Sequence, residues 1–143
     1  MRLTRHTDYA LRVLMYLARK GEGLSTIKEI AGRYSISENH LMKVVHQLGR
    51  NGYITTVRGR QGGMRLAAAP DQINIGAVVR YMSGDVPVAE CFAKDGDECA
   101  AFAQCGLRGP LHDAQQAFFG VLDGYCLAQV IKDRRLMAGI LAK

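Results

Sequence analysis

Three of the four cysteines fall within the stretch Cys91 to Cys105, which reads CFAKDGDECAAFAQC. The spacing, C-x7-C-x5-C, places three soft sulfur donors on a short backbone that is otherwise acidic, small or flexible. Iron and zinc sites want such donors on a pliable loop. The pattern matches neither the paired C-x2-C of a zinc ribbon nor the cysteine runs of a ferredoxin, and a trio leaves one coordination position for another donor. Cys91, Cys99 and Cys105 are therefore the candidate metal ligands. Cys126, between Tyr125 and Leu127, reads instead as a small packed hydrophobe. His112 lies near the expected start of a helix and reads as a surface or capping residue.

A second chemistry lies upstream. Residues 1–70 carry 12 Lys/Arg against 4 Asp/Glu, a net of +8, whereas residues 71–143 carry 7 against 9, a net of −2. Basic charge gathered in one half points to a polyanion, because Lys and Arg contacts to phosphate dominate nucleic-acid affinity. A solvated basic face is the plain alternative. With 48% hydrophobic and 22% charged residues, the chain has the composition of a folded protein with a real core. No apolar run near the N-terminus is long enough for an export signal or a membrane span. The expectation is a cytoplasmic chain with no membrane partner, whose clustered thiols meet metal more readily than each other.

The elements that must position these groups follow from periodicity. Residues 7–19 read as an amphipathic helix with Ala10, Val13, Leu14, Leu17 and Ala18 on one face, ended by Gly21 and Gly23. Thr26-x-x-Glu29 has the form of a capping box and opens a second helix with Ile27, Ile30 and Ala31 inward. Tyr34-Ser35-Ile36 makes a turn, and Ser37 caps a third helix running to about Gly49. Leu41, Val44, Val45 and Leu48 form its buried stripe, leaving Glu38, Asn39, His40, Lys43, His46, Gln47 and Arg50 outward. Met15, Met42 and Met64 read as core or near-core filling. Helix, turn and polar-faced helix form a helix-turn-helix, whose second helix enters the major groove. Gly52 to Val57 and Met64 to Ala67 read as strands around the basic glycine turn Arg58 to Gly63. Such a hairpin is the wing of a winged helix, with Arg58, Arg60 and Arg65 placed for phosphates or the minor groove. The DNA-contacting candidates are Ser37, Asn39, His40, Lys43, Arg58, Arg60 and Arg65.

Beyond the wing, Ile73 to Met82 reads as a short helix with Ile75, Val78 and Val79 toward the core. After the cysteines, Pro110 stands near the start of a long helix through about residue 130. Its stripe is Leu111, Ala114, Phe118, Val121, Leu122 and Tyr125. That much apolar surface calls for a partner, most simply a second copy of the chain, or for folding back onto its own domain. The expected fold class is mainly α with a small β-hairpin. Residues 1–84 form a winged-helix DNA-binding domain, 85–108 a cysteine loop, and 109–143 a dimerisation helix and tail. The tail from Lys132 to Lys143 carries no clear pattern.

Three stretches carry a resemblance: MRLTRHTDYALRVLMYLA, SENHLMKVVHQLGRNGYITTVRGRQGGMRLA and AECFAKDGDECAAFAQCGLRG. Over residues 1–130 or so they resemble the bacterial winged-helix repressors that hold an iron–sulfur cluster, and among them the NsrR family, which senses nitric oxide. VRGRQGG marks the superfamily; TDYALRVLMYLA and SENHLMKVVHQLG are narrower. The resemblance implies a homodimer that binds an AT-rich, inverted-repeat operator on double-stranded DNA. It also implies repression of nitric oxide detoxification genes, with release of the operator when the cluster is nitrosylated. Cys91, Cys99 and Cys105 would ligate the cluster, usually [4Fe–4S] with [2Fe–2S] the alternative, and Asp8 of TDY would be a non-cysteine ligand from the opposite subunit. Residues alone read Asp8 differently, as a helix-end acid paired with Arg12. Two related families differ in their patterns. IscR has a histidine three residues after its last cysteine, where this chain has Arg108. The iron-responsive RirA lacks the aspartate, which this chain has at Asp8, but shares C-x7-C-x5-C and an AECF-like start to the loop, and that likeness makes iron response the alternative function.

A zinc-binding winged-helix regulator is a further rival. An electron-transfer or hydrolytic protein is another, but the chain has no Ser-His-Asp set, no H-E-x-x-H, no nucleotide loop and no second cluster motif. The expectation is not an enzyme.

Overall fold

The chain is mainly helical with one antiparallel hairpin, and the computed structural model describes residues 3–84, 87–93 and 99–132. The first helix, α1 (Arg5–Lys20), starts two residues earlier than its apolar stripe requires, because the Thr4 hydroxyl accepts the Thr7 N–H at 3.1 Å. It ends at Gly21, whose φ of +70° suits glycine and whose N–H reaches Leu17 O at 3.2 Å. Ala10, Val13, Leu14 and Leu17 are buried. Helix α2 (Ile27–Tyr34) opens with the expected capping box between Thr26 and Glu29. Ser35, in the left-handed region at φ 53°, turns the chain into α3 (Glu38–Arg50). Ser37 holds the cap position there, but its hydroxyl makes no capping bond.

Leu41, Val44, Val45 and Leu48 face the core from α3, and every residue expected outward is exposed. Met42 is a correction. It follows Leu41 by one residue, about 100° around the helix, and is 52% exposed rather than core filling. Strands β1 (Ile54–Val57) and β2 (Gly63–Leu66) pair with Ile54 opposite Leu66 and Val57 opposite Gly63. Ser25 adds a bridge outside β2: its N–H donates to Met64 O at 3.0 Å and its carbonyl accepts the Met64 N–H at 2.8 Å. Gly63 is needed at this approach, since a Cβ there would press on the Ser25 carbonyl. The hairpin is thus fixed to the α1–α2 connection.

Helix α4 (Ile75–Ser83) buries Ile75, Val78, Val79 and Met82. The expected single long helix is two: α5 (Arg108–Asp123) and α6 (Leu127–Lys132). The break is imposed from a distance. The Ile75 N–H donates to Tyr125 O at 3.0 Å, and the Leu127 N–H to Ile73 O at 2.9 Å, so residues 125–127 pair with the start of α4 instead of continuing the helix. Asn74 secures the crossing by donating its amide to Asp123 O at 2.7 Å. Cys126 therefore lies in a connection, half-buried, rather than inside a helix. Helix α6 then returns to α1 with Leu127 fully buried.

The apolar residues of α5 and of its two flanks divide between two directions. Phe118, Phe119 and Leu122 pack on the core, whereas Leu107, Val121 and Tyr125 are exposed. Folding back thus accounts for one face only. The tail beyond residue 132 lies outside the described residues.

Candidate nucleic-acid interface and metal centre

The outward face of α3 presents Asn39, His40, Lys43, His46, Gln47 and Arg50 to solvent on a helix whose opposite face is anchored in the core. Ser37 stands exposed just before it. Beside it the hairpin turn carries Arg58 and Arg60, and β2 carries Arg65, all three exposed. Glycine sets the turn's shape. Gly59 has a φ of +118°, and a Cβ on Gly62 would strike the Val57 carbonyl. The Gly62 N–H closes the turn on Gly59 O at 2.9 Å. A polar-faced helix beside a rigid cationic hairpin can offer base-edge and phosphate contacts from one surface.

The cysteine loop leaves the end of α4 and returns at α5. Cys91 lies in the 3-10 turn Glu90–Phe92; Cys99 precedes and Cys105 follows the turn Phe102–Gln104. The Phe102 N–H donates to Cys99 O at 2.9 Å, linking the second cysteine to this turn. All three thiols are free, with Cys91 and Cys105 half-buried and Cys99 exposed. No side chain is buried among the described residues from 87 to 107. Among the described residues, no three His, Cys, Asp or Glu side chains are gathered as a metal site. Residues 94–98, the acidic part of the loop, lie outside the described residues.

The residues present fit a soft metal centre on two grounds. The donor set is three unpaired thiols on short turns, and no apolar anchor opposes their gathering. Beside them, Arg108 Nε is buried without a hydrogen-bond partner among the described residues, a cationic donor suited to an anionic thiolate site. His112 is exposed and its ring stacks on Phe92, with centroids 6.5 Å apart.

Asp8 lies in the first turn of α1, 42% exposed, and pairs with Arg12 through both oxygens: Arg12 Nε to Oδ1 at 3.2 Å and a terminal nitrogen to Oδ2 at 2.9 Å. The i,i+4 reading of the sequence holds within the single chain. Its neighbours reach further. The Arg12 guanidinium lies 5.8 Å from the ring centroid of Tyr34, the last residue of α2. The rings of Tyr9 and His40 are 6.5 Å apart, joining α1 to α3. Buried Thr7 shares a hydrogen bond of 3.1 Å with Ser83, the residue that ends α4 before the cysteine loop. Periodicity alone does not reveal these side-chain contacts, because none lies in a repeating pattern.

A second polar node joins α1 to α2. Tyr16 donates to Glu29 at 2.7 Å and Lys20 pairs with the same carboxylate at 2.6 Å. Burial, then the bond to Glu29, pushes the Tyr16 hydroxyl up to about 12. Lys20 first, and then Tyr16, hold the Glu29 carboxyl below its ordinary range. No helix among the described residues is long and apolar enough to cross a membrane.

The family model described as Rrf2, iron-dependent transcriptional regulator, matches residues 3–133. The HTH-type transcriptional regulator NsrR of Geobacillus kaustophilus (strain HTA426) is 50% identical over 142 residues, covering 99% of this chain and 97% of that protein. The NsrR of Bacillus subtilis (strain 168) is 49% identical over 135 residues, covering 94% and 92%. The solved structure of T. potens IscR superposes with a TM-score of 0.75 at 27% identity, covering 93% of this chain and 88% of that one. Helix-turn-helix, wing and cysteine loop thus occur together over a match that spans nearly the whole sequence, and the chain belongs to the Rrf2 family of transcriptional regulators.

Proposed function

We propose that the chain is a DNA-binding repressor whose three loop cysteines hold an iron–sulfur cluster and which releases its operator in response to nitric oxide. The observation that carries this reading is the double contact of the first turns of α1. On one side Thr7 bonds Ser83 at the root of the cysteine loop; on the other Tyr9 and Arg12 touch the helix-turn-helix at His40 and Tyr34. A change at the loop has a packed route to the DNA-reading helix.

Cys91, Cys99 and Cys105 would hold the cluster, with Asp8 of a second copy as a further oxygen donor. Ligation is compatible with the Arg12 pair, because each carboxylate oxygen accepts more than one bond. A bound cluster would supply exposed iron to which nitric oxide adds. The chain's own part is to hold α3 and the wing against double-stranded DNA. Arg58, Arg60 and Arg65 neutralise phosphates; Ser37, Asn39, His40 and Lys43 position or read base edges. A homodimer through the outward face of α5 and its N-cap, where Val121 and Leu107 are 63% and 67% exposed, would set two α3 helices one DNA turn apart on an inverted repeat.

The test is anaerobic purification with assay of iron, sulfide and zinc, and retardation of duplexes selected from a random library. Brown protein with iron and sulfide in equal amounts that retards an inverted repeat is expected. Colourless zinc protein would overturn the cluster assignment.

A further inference from the structure

Arg108 opens α5, three residues after Cys105. An arginine at a helix start ordinarily extends its head into water. This one is half-buried, with its guanidinium over the Phe102 ring, 4.0 Å from the centroid. Phe102 belongs to the turn between Cys99 and Cys105, and its N–H bonds Cys99 O. The cation is therefore folded back over the segment joining two of the three thiols. Its Nε is buried and has no acceptor among the described residues. Buried donors are normally satisfied, and a guanidinium N–H favours an anionic acceptor. The first turn of α5 offers none, having no acidic residue and no side-chain cap, so the positive end of the helix dipole falls at the same place.

Two sources of positive potential thus meet where the loop returns, three residues after Cys105, and a gathered thiolate is an anion that such a potential favours. Resting on the iron–sulfur reading above, we propose that Arg108 is a positioning residue for the three-thiolate centre, donating its Nε–H to a sulfur and offsetting the mutual repulsion of the gathered thiolates. Hydrogen bonds to cluster sulfurs are one of the protein's controls on potential, because they favour the more negative oxidation state.

The test uses the full chain, reconstituted anaerobically, as unmodified protein, Arg108→Gln and Arg108→Lys. A mediated redox titration followed by visible absorption gives the midpoint potential, excess chelator gives the rate of iron loss, and a circular dichroism melt reports folding. Arg108→Gln is expected to melt like the unmodified protein, to have a more negative potential and to lose iron several-fold faster. Arg108→Lys keeps the charge without the Nε donor and is expected to shift the same way by less. Unchanged potential and iron loss in Arg108→Gln overturn the proposal. Should that variant not fold, Arg108→Lys decides, and an unmodified potential there overturns it. Failure of the unmodified protein to take up iron and sulfide would overturn the parent reading instead.

Discussion

Cys91, Cys99 and Cys105 carry free thiols on a loop that contributes no buried side chain among its described residues, and the proposed cluster would be what gathers them. Each substitution Cys91→Ala, Cys99→Ala or Cys105→Ala is expected to abolish stable iron and sulfide uptake, whereas Cys126→Ala retains both. A brown, iron-loaded Cys99→Ala would remove the assignment. At Asp8, the expected result of Asp8→Ala is a cluster with a shifted spectrum and weaker, or uncoupled, DNA binding. A variant matching the unmodified protein in spectrum, affinity and nitric oxide response would leave Asp8 as only the partner of Arg12. On the wing, Arg58→Ala or Arg60→Ala should flatten the salt dependence of DNA binding by about one in log–log slope for each lost phosphate contact. Equal slopes would mean that the wing points away from DNA. The Asp8–Arg12 pair was legible because it is a matter of spacing along the chain, whereas the C-x7-C-x5-C spacing names donors without bringing them together among the described residues. Arg108 was visible only as a departure from a relative's pattern. The burial of its Nε depends on how the start of α5 folds over Phe102, which no local spacing encodes.

Helices α1 to α4 and the hairpin follow from stripes, a capping box and glycine turns, and their order was readable with ends displaced by a residue or two. The division of α5 from α6 was not. Apolar residues at helical steps run on from Phe118 through Leu122 to Tyr125, and the interruption comes from residues 73–75, about fifty positions earlier. The Arg80–Asp123 pair, with Arg80 also 4.6 Å from the Phe119 centroid, clasps α4 to α5. Arg80 holds the Asp123 carboxyl below its ordinary range. Gly76 leaves room for that carboxylate, so Gly76→Ala should displace Asp123 and lower the melting temperature. An unchanged melt would show that the clasp carries no stability. Leu127→Ala, at a fully buried position in α6, should cost about 2–5 kcal/mol in denaturant unfolding. The α1–α2 node adds a pH dependence. With the Glu29 carboxyl lowered in the fold, its stabilisation is present above the ordinary value of 4.5 and is lost as pH falls through the folded value. Stability of Glu29→Gln should therefore fall less steeply than that of the unmodified protein below about pH 4.5, as read from melts across the acid range.

Across the whole molecule, charge and chemistry are divided along the chain: the basic half bears the helix-turn-helix and wing, and the acidic half bears the thiols and the outward face of α5. The first turns of α1 touch both Ser83, at the root of the loop, and α3, and on the proposed function that is the route by which a change at the loop would reach the DNA. A second copy over Leu107 and Val121 would fix two such units at one spacing, and a palindromic site tolerates little change in that spacing. The most direct measurement is an anaerobic titration of the iron-loaded protein with nitric oxide, following its visible spectrum and its affinity for a selected inverted-repeat duplex in the same samples. Loss of the original spectrum and release of DNA are expected to proceed together, with both responses absent from Cys99→Ala. DNA affinity that stays constant while the spectrum is fully converted would rule out the cluster as the switch.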